Sequence, residues 1–284
     1  MELEQGYESN DEKRSDVKVV RKKNELQGAL EPLRGGRIAL VPTMGAFHEG
    51  HLSLLRAARQ ECNTVVCSLF VNPAQFGQGE DLERYPRNDA RDRELARAEG
   101  VDFLFAPAPE EMYPQGFETW VEPERLALEL EGVIRPTHFR GVATICLKLF
   151  NIVRPNVAYF GAKDAQQLAV IERIVRDLDL ELEIRAVEIA RDEDGLALSS
   201  RNAYLSPAER RIALALPKAL ALGAEDARDG GDPVATARRA LDEEPGLRTQ
   251  YVATRDYVGP RLLAAVQVGK TRLIDNVSLK GSKR

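Results

Sequence analysis

The chain of 284 residues is poor in cysteine and histidine, with three of each. Cys62, Cys67 and Cys146 are irregularly spaced and form no metal-binding pattern. Their odd number is typical of a protein from a reducing cytosol rather than of a disulfide-bonded secreted one. We expect all three to be small buried hydrophobic side chains and not reactive thiols.

Long hydrophobic runs are also missing, since no apolar stretch approaches the ~20 residues that span a bilayer. The polar segment 1–15 lacks the apolar core of a signal peptide. A net charge of -5 argues against a nucleic-acid partner, because a phosphate backbone requires a basic face. We therefore predict a cytoplasmic protein that binds small molecules, does not associate with membranes, and has a disordered tail over residues 1–16.

Two common nucleotide-binding motifs are absent as well. No G-x-G-x-x-G follows the first core strand that the sequence predicts. The segment Gly269-Lys270-Thr271 resembles the end of a P-loop, but Ala264 stands where that motif requires glycine, and the pattern predicts that the segment continues as a strand.

The sequence does contain apolar segments that alternate with helical patterns between residues 17 and 190. After a short strand and a helix over 17–33, the predicted strands are residues 37–41, 64–71, 101–105, 157–160 and 182–189. The predicted helices are residues 52–59, 89–99, 141–153 and 164–178. Because these strands are apolar on both faces, the pattern predicts an α/β fold with a doubly wound, Rossmann-like parallel sheet covered by helices on both sides.

The pattern changes after residue 206. Helices are predicted over 208–228 and 233–243, followed by strands over 251–257 and 261–273, which indicates a small α+β unit. A boundary near 190–194 divides the chain into domains 17–190 and 191–284.

The most informative segment is PTMGAFHEGH (42–51), which joins a core strand to a helix through glycines. A helix start provides N–H groups and a positive dipole end that suit phosphate. Two imidazoles there can neutralise charge that develops on a phosphate during transfer. His48 and His51 are three residues apart and can face one pocket. Their alternative role is that of surface or capping histidines, but the pairing after a core strand favours function.

Other polar segments follow later strands, where ligands bind in parallel sheets. Lys163, in a turn that Asp164 can cap, is either a point charge for phosphate or a solvated lysine. The segment LSSRN (198–202) is either a phosphate clamp or a serine-rich linker. Amides in NPAQF (72–76) can hold hydroxyls and carboxylates or simply form a turn. For His138 we favour a structural role in the loop before the helix at 141.

Together these segments resemble the pantothenate synthetase (pantoate–β-alanine ligase) family of the H-x-G-H nucleotidyltransferase superfamily. A lone H-x-G-H is a weak signal, but five blocks in the family's order and spacing are a strong one. The blocks are PTMGAFHEGH (42–51), FVNPAQF (70–76), RPTHFRGV (135–142), YFGAKDAQQ (159–167) and DGLALSSRNAYL (194–205).

The resemblance implies a reaction in two halves. The carboxylate of pantoate attacks the α-phosphorus of ATP, giving pantoyl adenylate and pyrophosphate. The amine of β-alanine then attacks the acyl adenylate, giving pantothenate and AMP. Catalysis is then positioning plus charge stabilisation.

The resemblance also implies which residues form the site. His48, His51, Lys163 and Arg201 would be catalytic, with His51 the proton donor and Lys163 and Arg201 the charged contacts to ATP. The implied ATP-binding residues are Met44, Gly45, His48, Gly50, His51, Gly161, Lys163, Asp164, Ala190, Leu198, Ser199, Ser200 and Arg201. Gln75 and Gln167 would bind pantoate, Gln75 also near β-alanine, and Asn72 would support that pocket.

The family further implies Mg²⁺ with ATP, a homodimer and a C-terminal lid domain. Asp89 and nearby acids are candidate supports for the metal, but no ligand is assigned. The chain has Ala162 where the family usually has glutamate and Ala165 where it usually has tyrosine. Phe47 and Leu198 replace the usual leucine and the frequent methionine.

Two alternative functions remain open at this point, and a third is disfavoured. One is another adenylyl or nucleotidyl transfer on the same scaffold, in which AMP release does not depend on β-alanine. The second is a nucleotide-sensing module that binds ATP without turnover. The third, an aminoacyl-tRNA synthetase, is disfavoured because the chain is short, acidic overall and without a basic tRNA-binding region.

Overall fold

The computed structural model describes residues 16–280, so nearly all of the tail predicted over 1–16 lies outside the described residues. Six parallel strands form one sheet in the order β1-β4-β3-β2-β5-β6. They are β1 (Lys18–Val20), β2 (Ile38–Thr43), β3 (Thr64–Leu69), β4 (Phe103–Phe105), β5 (Val157–Gly161) and β6 (Glu183–Val187). The chain winds outward from β2 first to one side and then to the other, which confirms the predicted doubly wound α/β fold.

Helices and short 3-10 turns connect the strands. The helices are α1 (Lys23–Leu30), α2 (Glu49–Glu61), α3 (Asp89–Ala98), α4 (Pro109–Met112), α5 (Glu131–Ile134), α6 (His138–Val153), α7 (Ala165–Asp177), α8 (Pro207–Ala213), α9 (Ala215–Arg228) and α10 (Pro233–Asp242). The 3-10 turns are Glu31–Leu33, Pro73–Gln75, Ala162–Asp164 and Ser200–Tyr204. Within residues 16–280, no helix is both long enough and apolar enough to cross a bilayer.

The alternation of side chains along β2 explains why both faces of the sheet are covered. Ile38 and Leu40 point into one hydrophobic cluster, which α1, α6 and α7 close. Ala39 and Val41 point into a second cluster on the other face, closed by α2 and α3. An exception to the predicted apolar strands is β6, an edge strand whose residues are exposed or only partly buried. The cysteines are all free and buried, as expected.

The C-terminal part forms a separate antiparallel sheet of β7 (Leu247–Asp256), β8 (Pro260–Val268) and β9 (Thr271–Ser278). Its hydrophobic core includes residues of α9 and α10 and also Leu196, in agreement with the predicted α+β unit. The division into domains at residues 190 and 191 stays a prediction.

Two predictions in this part were wrong. The segment 261–273 is not one strand, because Gly269 and Lys270 form the hairpin turn between β8 and β9, with Gly269 at φ 55°. The helix predicted over 208–228 is two helices that meet at Leu214. Pro217 explains the break, since its ring would clash with the carbonyl four residues earlier in a continuous helix.

Candidate active site

A cavity of about 230 Å³ lies beyond the carboxyl ends of β2, β3 and β5, at the point where the strand order reverses. It brings together segments that are up to 159 residues apart in the sequence, from Pro42 to Arg201. All but one of the predicted site residues line it: Met44, His48, Gly50, His51, Asn72, Gln75, Gly161, Lys163, Asp164, Gln167, Ala190, Leu198, Ser199, Ser200 and Arg201. The exception, Gly45, lies in the turn between β2 and α2 and does not line the cavity.

The two histidines cap helix α2 as well as lining the cavity. His48 is the N-cap residue, and its Nδ1 accepts from the backbone N–H of Gly50 at 3.2 Å. His51 Nδ1 accepts from the backbone N–H of His48 at 3.3 Å. The ring centroids are 4.1 Å apart. Capping and a role in the cavity are therefore compatible, and the sequence had posed them as alternatives.

These contacts determine which ring nitrogen carries hydrogen. With Nδ1 of each ring accepting, the hydrogen of the neutral imidazole must reside on Nε2. Burial is the main cause that lowers the pKa of His48 to about 4 and that of His51 to about 3, and the Lys163 ammonium lowers both further. The rings are therefore neutral near pH 7, and the backbone N–H groups of His48 and Gly50 already have acceptors. What they present is a pair of Nε2–H dipoles.

Gly50 is required by the close approach of the His48 ring. A Cβ at this position would lie 3.0 Å from Cε1 and Nδ1 of His48. That distance is shorter than an ordinary van der Waals contact, so any side chain would displace the capping imidazole. Glycine at the third position of H-x-G-H thus has a direct steric reason.

Asp92 supports the turn that leads to the histidines, and sequence reasoning did not find it. The backbone is in the left-handed region at Gly45 and Ala46, with φ of 86° and 54°. The carboxylate of Asp92 accepts from the N–H groups of Ala46 at 2.8 Å and Phe47 at 2.7 Å. The available signal was a carboxylate on the buried face of α3, one helical turn before the buried Ala96.

We predict that Asp92→Ala destabilises the fold by roughly 2–4 kcal/mol, since it leaves the buried N–H of Phe47 and the partly buried N–H of Ala46 without an acceptor. Activity should fall as well, because the residue strained at Ala46 loses its support. Urea unfolding and initial rates would measure both effects. Asp89→Ala, an exposed carboxylate on the same helix, is the matched control, and equal stability of the two variants would contradict the prediction.

Lys163 lies in the 3-10 turn that follows β5, and its side chain is 19% exposed. Its Nζ is 3.9 Å from Oδ2 of Asp164. The prediction that Asp164 caps α7 was wrong in part, since it occupies the N-cap position but its side chain makes no capping hydrogen bond. The ammonium and the carboxylate therefore both lie at the cavity, close enough to shift the pKa of His48 in opposite directions.

Arg201 does not present a free guanidinium. Its Nε and Nη2 donate to the carboxylate of Asp81 at 2.9 and 2.8 Å, so the predicted phosphate clamp is already paired with an acid that the sequence did not identify. Ser199 Oγ accepts from the N–H of Arg201 at 3.3 Å. Ser200 Oγ donates to the carbonyl of Ala46 at 3.3 Å and so ties this segment to the histidine turn.

The amides on the other side of the cavity are fixed by a buried network. Asn72, 1% exposed, donates through Nδ2 to Gln75 Oε1 and to the carbonyl of Gly141, both at 3.1 Å. Its Oδ1 accepts from the hydroxyl of Tyr113 at 2.8 Å, a partner that sequence reasoning also missed. Gln75 Nε2 donates to the sulfur of Met44 at 2.9 Å. The side chain of Gln75 is thus oriented from two sides.

His138 supports the same loop from α6. Its Nδ1 is 3.0 Å from the carbonyl of Gln75, and Nη1 of Arg135 is 3.2 Å from its Nε2. An arginine can only donate, so Nδ1 carries the hydrogen and donates to Gln75. Burial and the neighbouring Arg135 lower the pKa of His138 to about 4. These contacts agree with the structural role expected for this histidine.

The low pKa values of the three histidines predict that the folded protein loses stability in mild acid. They resist protonation in the folded state, with pKa values of about 4, 3 and 4, whereas each takes up a proton near 6.5 in the unfolded chain. The histidines leave the free energy of unfolding unchanged above pH 6.5. Below that pH it falls, until the pH reaches the folded-state pKa values of about 4 and 3. In this range each histidine steepens the dependence of the free energy of unfolding on pH by about 1.4 kcal/mol per pH unit.

Urea unfolding of the wild type between pH 6.5 and 5 would measure that slope, in a range where carboxylates titrate little. His138→Gln removes one of the three groups and should reduce the slope by about one third. A slope that is the same in both proteins would contradict the prediction.

No group of three metal-binding side chains occurs within residues 16–280. Asp89, the candidate metal support, is exposed at the start of α3 and does not line the cavity, while Asp92 is engaged by backbone N–H groups. The carboxylates that line the cavity are Asp164 and Glu188. Protein residues alone therefore do not form a metal cage here.

The two alanines that stand where the family usually has glutamate and tyrosine, Ala162 and Ala165, are both buried. Ala162 is 1% exposed and Ala165 is 2% exposed. Ala165 packs in a cluster with Tyr257, in the turn after β7, and Leu263 of β8. Side chains from the C-terminal unit thus occupy the surroundings in which a bulkier residue would have to fit.

Comparisons with known proteins agree with this geometry. The family model of pantoate-beta-alanine ligase matches residues 18–278. The pantothenate synthetase of Moorella thermoacetica is 55% identical over 261 residues, which cover 87% of this chain and 92% of that protein. The crystal structure of pantothenate synthetase from Thermus thermophilus superposes with a TM-score of 0.89 at 46% identity, covering 93% of this chain and 99% of that one.

A further structure is the pantoate-beta-alanine ligase of Francisella tularensis, described as complexed with beta-gamma ATP and beta-alanine. Its TM-score is 0.82 at 32% identity, with 94% of this chain and 99% of that one covered. The model match over nearly the whole described chain and the identity of these relatives lead to one conclusion: the chain belongs to the pantoate-beta-alanine ligase family.

Proposed function

We propose that this protein ligates pantoate to β-alanine at the expense of ATP. In the first half-reaction a carboxylate oxygen of pantoate bonds to the α-phosphorus, and the bond from that phosphorus to pyrophosphate breaks. In the second, the amine of β-alanine bonds to the acyl carbon, the bond to AMP breaks, and the nitrogen loses a proton. The products are pantothenate, AMP and pyrophosphate.

The observation that carries the proposal is the common cavity. His48 and His51 enter it from one turn and Lys163 from another, while Gln75 and Gln167 lie in its lining with them. Charged and dipolar donors suit a triphosphate, and amides suit the hydroxyls and the carboxylate of pantoate. A cavity lined in this way brings binding groups for both reactants together.

The residues contribute by orientation and charge stabilisation. The two Nε2–H groups donate to phosphate oxygens as charge develops on them, without needing an ionised imidazole. Lys163 adds a positive charge beside them. Gln75, held by Asn72 and Met44, keeps the pantoate carboxylate in line with the α-phosphorus.

We further propose that Mg²⁺ enters with ATP. Magnesium is commonly held by one or two carboxylates together with substrate phosphates, and Asp164 and Glu188 are the carboxylates that line the cavity. When bound, the ion neutralises part of the phosphate charge. Asp164→Asn should raise the Mg²⁺ concentration required for half-maximal activity.

Isotope exchange between pyrophosphate and ATP tests the proposal. We expect exchange that requires pantoate and does not require β-alanine, and AMP release that requires both. Exchange without pantoate, or AMP release unaffected by β-alanine, would instead support a nucleotidyltransferase of different specificity. ATP binding without any exchange would support a sensing module.

We also propose that the protein is a cytoplasmic homodimer and that residues 191–284 form a lid over the cavity. Leu128, Val133 and Ile134 leave apolar surface exposed within a short segment, at 72%, 67% and 37%, which supports association. Light scattering over a range of concentrations would determine the mass. Cell fractionation would test the location, and small-angle scattering with and without ATP would test closure of the lid.

A further inference from the structure

The turn that carries Lys163 has little support of its own. It is a single 3-10 turn, Ala162–Asp164, between β5 and α7. Gly161, which precedes the turn, has no side chain that could cap it. Asp164, the N-cap residue of α7, makes no side-chain capping hydrogen bond. A lysine side chain is long and flexible, so the position of its backbone decides which part of a ligand its ammonium reaches.

The support comes from the C-terminal sheet. Asn276, on β9 and 1% exposed, donates both hydrogens of its side-chain amide to this turn. Nδ2 lies 3.0 Å from the carbonyl oxygen of Ala162 and 2.8 Å from that of Lys163. These two hydrogen bonds join residues that are 114 and 113 positions apart in the sequence.

Asn276 is itself held from the other side. Its Oδ1 accepts from Nη1 of the buried Arg261 at 2.7 Å, and its backbone N–H donates to Oδ1 of Asp275 at 2.7 Å. Asp275 in turn accepts from both terminal nitrogens of Arg191, at 2.7 and 3.0 Å. Arg191 follows directly after Ala190, which lines the cavity. One short stretch of β9 therefore fixes two segments of the cavity wall.

We infer that Asn276 is a positioning residue for Lys163: its amide holds the turn of Ala162 and Lys163 at the distance from which the ammonium reaches the phosphates. The inference rests on the proposed function, since it assigns Lys163 to ATP. Asn276 does not line the cavity and acts only through the backbone that it holds. A displacement of about 1 Å at such a site can cost ~10²-fold in rate.

Asn276→Asp is the principal variant. It keeps an oxygen for Arg261 but replaces the donating NH₂ by an oxygen, which repels the two carbonyls. Asn276→Ala removes the donor without adding charge and shows whether an effect is electrostatic. Asn156→Ala is the control, because Asn156 Oδ1 accepts from the backbone N–H of Ile38 at the opposite end of the sheet.

The measurement is pantoate-dependent pyrophosphate exchange as a function of ATP. We expect kcat/KM for ATP to fall ~10–100-fold in both Asn276 variants, with the KM for pantoate changed less than ~2-fold. Asn156→Ala should retain wild-type values. In a Lys163→Ala background, Asn276→Asp should have less than ~2-fold further effect, because the group that it positions is gone.

Three results would overturn the inference. One is unchanged kinetics for ATP in a folded Asn276→Asp protein. Another is a loss that multiplies fully with that of Lys163→Ala, since the two residues would then act independently. The third is loss of the folded state in both variants, as judged by thermal unfolding, which would make Asn276 a purely structural contact. Absence of exchange in the wild type would instead refute the proposed function, so the two failures are distinguishable.

Discussion

His51→Ala should lower kcat/KM for the exchange reaction by ~10²–10⁴-fold, with the loss mainly in kcat. The substitution removes an Nε2–H donor whose orientation is fixed by the backbone N–H of His48 on the other ring nitrogen. A donor held in this way is already oriented before charge develops on the phosphate, so its loss affects the transition state more than the bound substrate. Exchange kinetics at saturating and limiting ATP would separate the two parameters.

Ser53→Ala is the matched control for this variant. Ser53 lies on the same turn of α2, where its hydroxyl donates to the carbonyl of Gly50 at 2.9 Å, and it does not line the cavity. It should retain rates within about threefold of the wild type. Similar rates for the two variants would show that His51 takes no part in catalysis.

The pH profile adds an independent check on the state of His51. Since burial lowers its pKa to about 3, the neutral ring persists well below pH 6.5. The wild-type rate should therefore show no inflection attributable to this histidine between pH 8 and 5.5. An inflection near 6.5 that disappears in His51→Ala would show that the ring titrates normally.

Lys163→Ala should lower kcat/KM for ATP by ~10²–10³-fold, the second-largest effect that the site predicts. Its ammonium supplies a full positive charge among cavity donors that are otherwise dipolar or, for Arg201 and Arg135, paired with Asp81 and Glu80. The loss should appear in both the KM for ATP and kcat, because a phosphate carries charge before and during transfer. Initial rates over a wide range of ATP would measure it.

Lys163→Arg retains the charge but changes its shape, so it should recover only part of the activity. Lys270→Ala, in the exposed turn between β8 and β9, is the control and should behave as the wild type. Full activity of Lys163→Ala would exclude this lysine from ATP binding and would also remove the basis for assigning a role to Asn276.

The parts of the molecule that were predictable are those determined by local sequence. The apolar strands and the glycine turn before α2 carry their signal within about ten residues, which is why the sheet and the histidines were found. The ends of the observed strands differ from the predicted ends, because they depend on which strands pair with each other. The turn at Gly269 was missed because apolar residues continue on both sides of it.

The supporting residues were not predictable in the same way. Asp92, Asp81 and Asn276 act on segments 46, 120 and 113 residues away in the sequence. Nothing local in a charged helix, an acidic loop or a C-terminal strand indicates such a target. The pairing of Arg201 with Asp81 and the lowered pKa of His48 and His51 likewise depend on contacts and burial that only the folded chain establishes.

The contact between Asn276 and the Lys163 turn has a consequence for protein synthesis. The parallel sheet can be complete once residue 187 has emerged from the ribosome, since all six of its strands precede that point. The wall of the cavity has to wait for almost another ninety residues. A nascent chain of this protein would therefore acquire its shape well before it acquires the capacity to turn over substrate.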